Sequence, residues 1–169
     1  PVYDGVSISA NGVVNANGWI DLLNGDKILT QIISSNNLGS VAVNLYNHSY
    51  VLNPVVNHYN LARSSVVNST QAASDSIVMR FFITDEEVKK LINDKICDTC
   101  VRAEDAYRLG ITKYDDDNKD NENGSLTDNV NGGYTFIPYT AIQWVPYDKG
   151  YYAQTRLNSF SEFWFNTAI

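Results

Sequence analysis

The C-terminal stretch, residues 134–165, constrains the fold most, because its apolar and polar residues alternate with a period near two. Such alternation over short runs is typical of half-buried β-strands. Pro138-Tyr139, residues 146–150 and Asn158-Ser159 separate the runs as turns. The stretch therefore predicts four successive short strands, a meander that forms half of a sandwich core. The apolar positions of this pattern are Tyr134, Phe136, Ile142, Trp144, Tyr152, Leu157, Phe163 and Phe165.

Two of the Asn-Gly dipeptides near the N-terminus, Asn11-Gly12 and Asn24-Gly25, are strong turn signals. Asn11-Gly12 interrupts a weak alternation and predicts a turn at that point. Asn24-Gly25 separates the apolar runs 19–23 and 27–33, which predicts a hairpin. The fold class that follows is mainly β, an antiparallel β-sandwich with short helices inserted between strands. Further strands are predicted over residues 40–46, 55–67 and 76–83.

The period changes from that of a strand to that of a helix after residue 83. Thr84 and Glu87 have the spacing of a capping box, in which each side chain bonds the backbone amide of the other. Apolar residues at helical spacing follow and predict a helix over residues 85–94. A second short helix is predicted over residues 103–109, with Gly110 as its left-handed cap. Together they form a helical insertion at about residues 85–110.

Length and charge limit the class of protein and its partners. A chain of 169 residues suits one domain, so we predict a single β-sandwich domain over residues 1–169. The net charge is −7, and Lys and Arg form no cluster. Nucleic acid and anionic membrane surfaces are therefore not expected as partners, because both require a basic patch. No apolar run reaches the roughly 18 residues of a membrane span, so no membrane insertion is expected.

Four segments, residues 81–88, 109–114, 134–139 and 159–164, carry a resemblance to a known family. They resemble the β-sandwich domain that recurs in large surface and secreted proteins of the Bacteroidetes, often just before the C-terminal sorting domain of the type IX secretion system. The resemblance implies an extracellular or cell-surface location. It also implies, as partners, other domains of a parent surface protein or neighbouring subunits. It brings no catalytic residues, and the implied function is a non-catalytic structural or adhesive module.

Cys97 and Cys100 are the two cysteines of the chain and form a Cys-x-x-Cys. In a cytosolic protein this spacing indicates a redox motif or half of a zinc site. The chain has only two His besides these cysteines, so it offers few residues to complete a four-ligand zinc site. Because oxidising compartments favour disulfides, we predict a Cys97–Cys100 bond that clamps the link between the two short helices.

Ser76 lies in the tripeptide Asp75-Ser76-Ile77. This tripeptide resembles the short O-glycosylation signal of the Bacteroidetes, which makes Ser76 a candidate for glycosylation. The plain alternative is that Ser76 opens a strand.

Catalytic groups are scarce in this sequence. The only candidate bases for a nucleophilic triad are His48 and His58, and no Gly-x-Ser-x-Gly elbow is present. A carboxylate pair for glycoside chemistry would combine Glu162 with Asp148 or Glu86. Glu162 alternates with apolar neighbours, so we expect it to face solvent on a strand. The sequence therefore predicts that this protein is not an enzyme.

Aromatic residues crowd two strands and one turn near the C-terminus. Trp144, Tyr147 and Tyr151 are candidates for glycan binding, since flat rings stack on sugar faces and a β-sandwich offers a platform for them. The alternative is that these rings serve packing, which is the usual use of aromatic side chains. The alternative function is therefore a carbohydrate-binding module attached to a secreted enzyme, with polysaccharide as its partner.

A long acidic loop is predicted at about residues 115–133, because this segment is polar and has almost no apolar residues. Calcium takes six to eight oxygen ligands, which a loop can supply from alternate residues. The sequence thus predicts calcium as a cofactor. The alternative is a solvated loop that its like charges keep extended. The candidate ligands are Asp116, Asn118, Asp120, Glu122 and Asp128.

Overall fold

The computed structural model describes residues 8–15, 18–48, 52–53, 58–71, 77–93, 104–124 and 129–166. One α-helix, α1, spans Asp85–Asn93, and short 3-10 turns span Ala106–Arg108, Lys119–Asn121 and Tyr139–Ala141. None of the described helices is long and apolar enough to cross a membrane. The strands are β1 Ile8–Val14, β2 Ile20–Asn24, β3 Lys27–Ser34, β4 Gly39–Asn47, β5 Leu52–Asn53, β6 His58–Ser69, β7 Ile77–Thr84, β8 Gly110–Asp115, β9 Gly133–Ile137, β10 Gln143–Tyr147, β11 Gly150–Leu157 and β12 Glu162–Asn166.

The strands form two antiparallel sheets that pack face to face. The large sheet has the order β1-β4-β6-β12-β8-β9, with β5 paired to β6, and the small sheet has the order β10-β11-β7-β3-β2. Side chains from the two inner faces meet between them, as in other sandwiches. Phe81 of the small sheet has its ring centroid 5.0 Å from that of Phe163 and 5.6 Å from that of Phe165, both in the large sheet. The predicted antiparallel β-sandwich is confirmed.

The Asn-Gly dipeptides at residues 11–12 and 24–25 have different structures. Asn24-Gly25 lies at the β2–β3 hairpin, where Gly25 has a φ of 61° that favours glycine, so this prediction is confirmed. Asn11-Gly12 lies inside β1, and the turn predicted there is wrong. A Cβ on Gly12 would come within 2.8 Å of the Leu22 side chain. Gly12 is therefore used for close approach of β1 to β2 rather than for a turn.

The C-terminal stretch forms the four predicted strands, but they are not a meander. β10 and β11 form a hairpin in the small sheet, whereas β9 and β12 belong to the large sheet. The chain leaves β9 through Pro138 and the 3-10 turn Tyr139–Ala141, and it returns to the large sheet after β11. Alternation identifies a strand and its buried face, but both sheets of a sandwich have a buried face, so it does not identify the sheet.

Helix α1 closes one end of the sandwich, and its capping box is confirmed. The Thr84 backbone N–H donates to Glu87 Oε1 at 2.9 Å, and the Glu87 backbone N–H donates to Thr84 Oγ1 at 3.2 Å. Glu87 Oε2 also lies 3.2 Å from Nε of the buried Arg63 of β6, which ties the helix to the large sheet. Two buried side chains of the helix, Val88 and Leu91, join the core.

The second predicted helix is much shorter than expected. In the described part of residues 103–109, the helical structure is the 3-10 turn Ala106–Arg108. Leu109 is extended, and Gly110 is the first residue of β8, where it pairs with Asn166 of β12. The prediction of Gly110 as a left-handed cap is therefore wrong, because the chain enters a strand directly.

The acidic loop is not the extended, solvated segment that its composition suggests. Its described residues, 116–124 and 129–132, fold against the outer face of the large sheet, and Asp116, Glu122 and Asn129 are buried. Tyr114 of β8 donates from its hydroxyl to Asp116 Oδ2 at 2.5 Å and accepts from the Gly132 N–H at 3.0 Å. The two ends of the loop are thus joined by one side chain of the sheet.

Glu162 of β12 joins the middle of the loop to the sheet. Its side chain points away from the core, as alternation predicts, but the loop covers it and it is fully buried, so the prediction that it faces solvent is wrong. Glu162 Oε1 accepts from the Gly124 N–H at 2.8 Å, and Oε2 accepts from the Trp164 Nε1–H at 2.8 Å and from the Asn129 side-chain amide. Burial raises the pKa of Glu162, and these donors oppose that shift.

Replacing Glu162 with Gln should destabilise the protein by about 2–3 kcal/mol, because a glutamine NH₂ group would face donors that now bond a carboxylate oxygen. Urea unfolding measures the loss, and hydrogen exchange should show faster exchange at the Gly124 N–H. Glu86→Gln, which removes an exposed carboxylate from the first turn of α1, is the matched control and should cost less than about 1 kcal/mol. Equal stability of the two variants would contradict the role of Glu162.

Candidate functional site

The outer face of the small sheet carries one continuous row of polar side chains that crosses all five strands. Directly opposite residues of antiparallel strands point to the same face. The register pairs Asp21 with Gln31, Gln31 with Arg80, Arg80 with Gln154, and Gln154 with Gln143. We call these five residues the polar row. It spans four strand spacings, about 19 Å.

Hydrogen bonds hold the polar row together along most of its length. Gln31 Nε2 donates to Asp21 Oδ1 at 2.9 Å, and Arg80 donates from Nη1 to Gln31 Oε1 at 3.0 Å. Arg80 also donates from Nε to Gln154 Oε1 at 2.9 Å. The guanidinium group is thereby fixed between two amides, and its orientation is set before any ligand arrives.

Two aromatic rings lie against the guanidinium of Arg80. The guanidinium carbon is 3.9 Å from the Trp19 ring centroid and 4.7 Å from the Tyr152 ring centroid. Distances below about 6 Å are those of cation–π contacts. Trp19 is 37% exposed and precedes β2, so its ring is accessible at the surface beside the polar row.

A second aromatic group adjoins the polar row on β7, β10 and β11. Phe82 is 2% exposed although its side chain points outward, and the rings that cover it are Tyr147 and Tyr152. Their centroids lie 5.4 and 5.8 Å from that of Phe82. Tyr147 itself is 42% exposed. The outer face therefore combines a polar row with exposed aromatic surface.

A shallow groove of about 730 Å³ begins where the polar row ends on β10. Gln143 and Gln154 belong to both the row and the groove, and Arg156 forms part of the groove wall. The groove is also lined by Ile137 at the end of β9 and by Thr140, Ala141 and Ile142, which lead into β10. The groove therefore adjoins the polar row at Gln143 and Gln154.

The side chains of this surface can bind a ligand through hydrogen bonds and through stacking on aromatic rings. Its amides donate and accept hydrogen bonds, its guanidinium donates, and its rings offer flat apolar area. In the described strands of the small sheet, Asp21 is the one outward-facing residue that has a carboxylate. A pair of carboxylates is therefore not assembled among these described residues.

The three aromatic residues predicted for glycan binding do not form one surface. Trp144 and Tyr151 are half-buried and pack against the core, and their ring centroids are 6.4 Å apart. Trp144 also donates from Nε1 to the Leu109 carbonyl oxygen at 3.2 Å. Tyr147 lies on the opposite, outer face with Tyr152. Of the three, only Tyr147 belongs to the outer face, because the strand pleat separates neighbouring positions.

Sequence reasoning missed most of the surface described above. Trp19, Gln31, Arg80 and Gln154 are far apart in the chain and form no motif. The available signal was local: Arg80 and Gln154 are long polar residues that alternate with buried residues along their strands. Their position opposite each other depends on the β7–β11 register, which no single segment contains.

The acidic loop places its candidate calcium ligands among internal donors. Asp116 Oδ1 accepts from the Asn118 N–H at 2.9 Å, and Glu122 Oε2 accepts from Lys119 Nζ at 2.7 Å. Asn118 Oδ1 accepts from the Asp120 N–H at 3.1 Å. Hydrogen bonding to Tyr114 and the Asn118 amide lowers the pKa of Asp116. These hydrogen bonds can hold the acidic loop in one conformation without a bound ion.

Calcium binding stays a prediction. Among the described residues, no group of three His, Cys, Asp or Glu side chains is placed to hold a metal ion. Asp128, the fifth candidate ligand, lies outside the described residues. An ion at this loop would have to displace Lys119 from Glu122, so calorimetric titration of chelator-treated protein is the deciding measurement.

Other candidate residues also stay predictions. Cys97, Cys100 and Ser76 lie outside the described residues, so the disulfide and the glycosylation are not tested. His48 lies on the large sheet, where its ring stacks on Trp164 with centroids 4.8 Å apart, and burial lowers its pKa. Its Nε2 is 2.9 Å from Ser64 Oγ, a hydroxyl that is itself buried.

Comparison with protein-family models, curated proteins and solved structures finds no match to this sequence. The resemblance to secreted domains of the Bacteroidetes therefore stays a prediction.

The Arg80–Trp19 contact should be measurable in a double-mutant cycle. Trp19→Ala and Arg80→Met should show a coupling energy of about 0.5–1 kcal/mol in urea unfolding, the usual worth of a cation–π contact near the surface. As a control, Trp19→Ala combined with Lys90→Met, on the exposed side of α1, should be additive within about 0.5 kcal/mol. A coupling energy no larger than that of the control pair would show that the ring does not stabilise the guanidinium.

Proposed function

We propose that this chain is a non-catalytic, extracellular adhesive module that binds carbohydrate on the outer face of its small sheet. The observation that carries the proposal is the polar row, which places five hydrogen-bonding side chains in line across the sheet beside Trp19, with Tyr147 exposed on the same face. The extracellular location rests on the sequence resemblance.

Carbohydrate suits this face better than an apolar ligand does. Sugar hydroxyls both donate and accept hydrogen bonds, and the amides of Gln31, Gln143 and Gln154 offer both kinds of partner. Sugar rings also present apolar C–H faces, which stack on exposed aromatic rings such as those of Trp19 and Tyr147. The linear arrangement of the row favours an extended sugar chain over a single sugar.

A structural module is the second candidate function, and a separate surface supports it. β9 is an edge strand of the large sheet, and its side chains Tyr134 and Phe136 are 56% and 36% exposed. Exposed edge strands with apolar side chains are sites where another chain or domain can add. If the module is structural, its partner is another domain of a parent surface protein or a neighbouring subunit.

If the module is instead attached to a secreted enzyme, it would bind carbohydrate on the outer face of the small sheet, as proposed above.

Affinity gel electrophoresis with a panel of polysaccharides tests the proposal. We expect at least one polysaccharide to retard the protein, and we expect Trp19→Ala and Gln143→Ala each to weaken that binding about tenfold, or about 1.4 kcal/mol. Both side chains are accessible at the surface. Phe136→Ala is the matched control, since it removes an exposed ring from the outer face of the other sheet.

Two outcomes would contradict carbohydrate binding by this face. One is that no polysaccharide retards the protein. The other is that Phe136→Ala weakens binding as much as Trp19→Ala does, which would move the site to the large sheet. Thermal melts of each variant establish that the fold is intact.

A further inference from the structure

The charge on one half of the binding face is opposite in sign to the charge of the whole protein. The chain carries a net charge of −7. The outward-facing strand residues of β7, β10 and β11, by contrast, include two charged side chains, Arg80 and Arg156, and both are positive. The carboxylate of the polar row, Asp21, lies three strands away from β11, on β2.

Arg156 is placed to meet a ligand. Its side chain is exposed, it pairs with Val78 rather than with a polar residue, and it forms part of the groove wall beside Gln154. In the part of the chain that the structure describes, it forms no ion pair. Surface arginines present a planar fork of donors that matches a carboxylate or sulfate group.

Arg80 and Arg156 are diagonal neighbours on the β7–β11 pair, because Arg80 faces Gln154 and Arg156 follows two residues later. Such neighbours lie roughly 7–8 Å apart. Two like charges at this spacing repel each other, and an anionic group bound between them would relieve the repulsion. The amides that fix Arg80 are neutral, so they orient its charge without cancelling it.

We infer that the ligand of this face is an acidic glycan, an extended sugar chain whose carboxylate or sulfate groups bind at Arg156 and Arg80. The inference rests on the proposed function and specifies its ligand class. The sugar rings lie along the polar row and against the Trp19 ring. The anionic groups lie on the β7–β11 pair, where the row meets the groove.

Matched pairs of polysaccharides test the charge separately from the sugar. Polygalacturonate is compared with its methyl ester, and dextran sulfate with dextran, so each pair differs only in the anionic group. We expect the acidic member of at least one pair to bind more than tenfold tighter. This preference should weaken when salt rises from about 0.1 M to about 1 M, which shortens the screening length from about 10 Å to about 3 Å. The preferred pair identifies carboxylate or sulfate as the recognised group.

Variants of Arg156 then locate the preference. Arg156→Gln should remove most of the difference between the acidic and neutral members, whereas Arg156→Lys should keep part of it. Lys90→Gln, which removes one exposed positive charge from α1, should change nothing and controls for net charge. Arg156→Gln should weaken binding of the neutral member much less than that of the acidic member, because the neutral member offers the guanidinium no anionic group.

The outcomes separate this inference from the proposed function. If neutral and acidic members bind equally, or if Arg156→Gln keeps the preference, the acidic glycan is overturned while carbohydrate binding stands. If polyglutamate binds as tightly as polygalacturonate, recognition is of charge alone and the glycan assignment is overturned. If no polysaccharide of any kind binds, the proposed function itself fails.

Discussion

The two-residue period of the β-strand determines which side chains form the core of this molecule and which form its two outer faces. In β7 the inward residues include Met79 and Phe81, and the outward ones are Arg80 and Phe82. In β12, Phe163 and Phe165 enter the core while Glu162 and Trp164 point away from it. A slip of one residue in either strand would bring a charge into the core, so the buried phenylalanines and the outward polar groups fix the register together. Every functional feature described here depends on that register.

The described part of the chain covers the outer face of the large sheet but leaves that of the small sheet exposed. The loop after β8 covers the large sheet, and the carboxylate of Glu162 is buried beneath it. Burying such a group is costly unless donors surround it, and the backbone of Gly124 with the side chains of Asn129 and Trp164 supply them. The described residues place no comparable cover on the small sheet, where Trp19 and Tyr147 stay exposed. This uncovered face, with its directional polar groups, is where we propose that a ligand binds.

The sequence predicts best the features that short segments determine by themselves. The capping box of Thr84 and Glu87 and the β2–β3 hairpin at Asn24-Gly25 involve residues within a few positions of each other, and both are confirmed. Asn11-Gly12 has the same turn chemistry but lies inside β1, where it pairs with Ala42 and Val41 of β4, some 30 residues away. Glu162 shows the same limit. Its direction follows from alternation, but its burial depends on a loop some 40 residues away that composition alone describes as solvated.

The candidate site is the extreme case of this dependence on long-range pairing. The polar row draws one residue from each of five strands, and no two of them are close enough in sequence to be read as a motif. The β-bulge between Leu22 and Leu23 contributes as well, since it shifts the β2–β3 register between the hairpin turn and Asp21. Without this shift in register, Asp21 would not face Gln31, and the polar row would end at β3. The row is therefore a property of the strand pairing, and a change in register would abolish it while every residue remained in a strand.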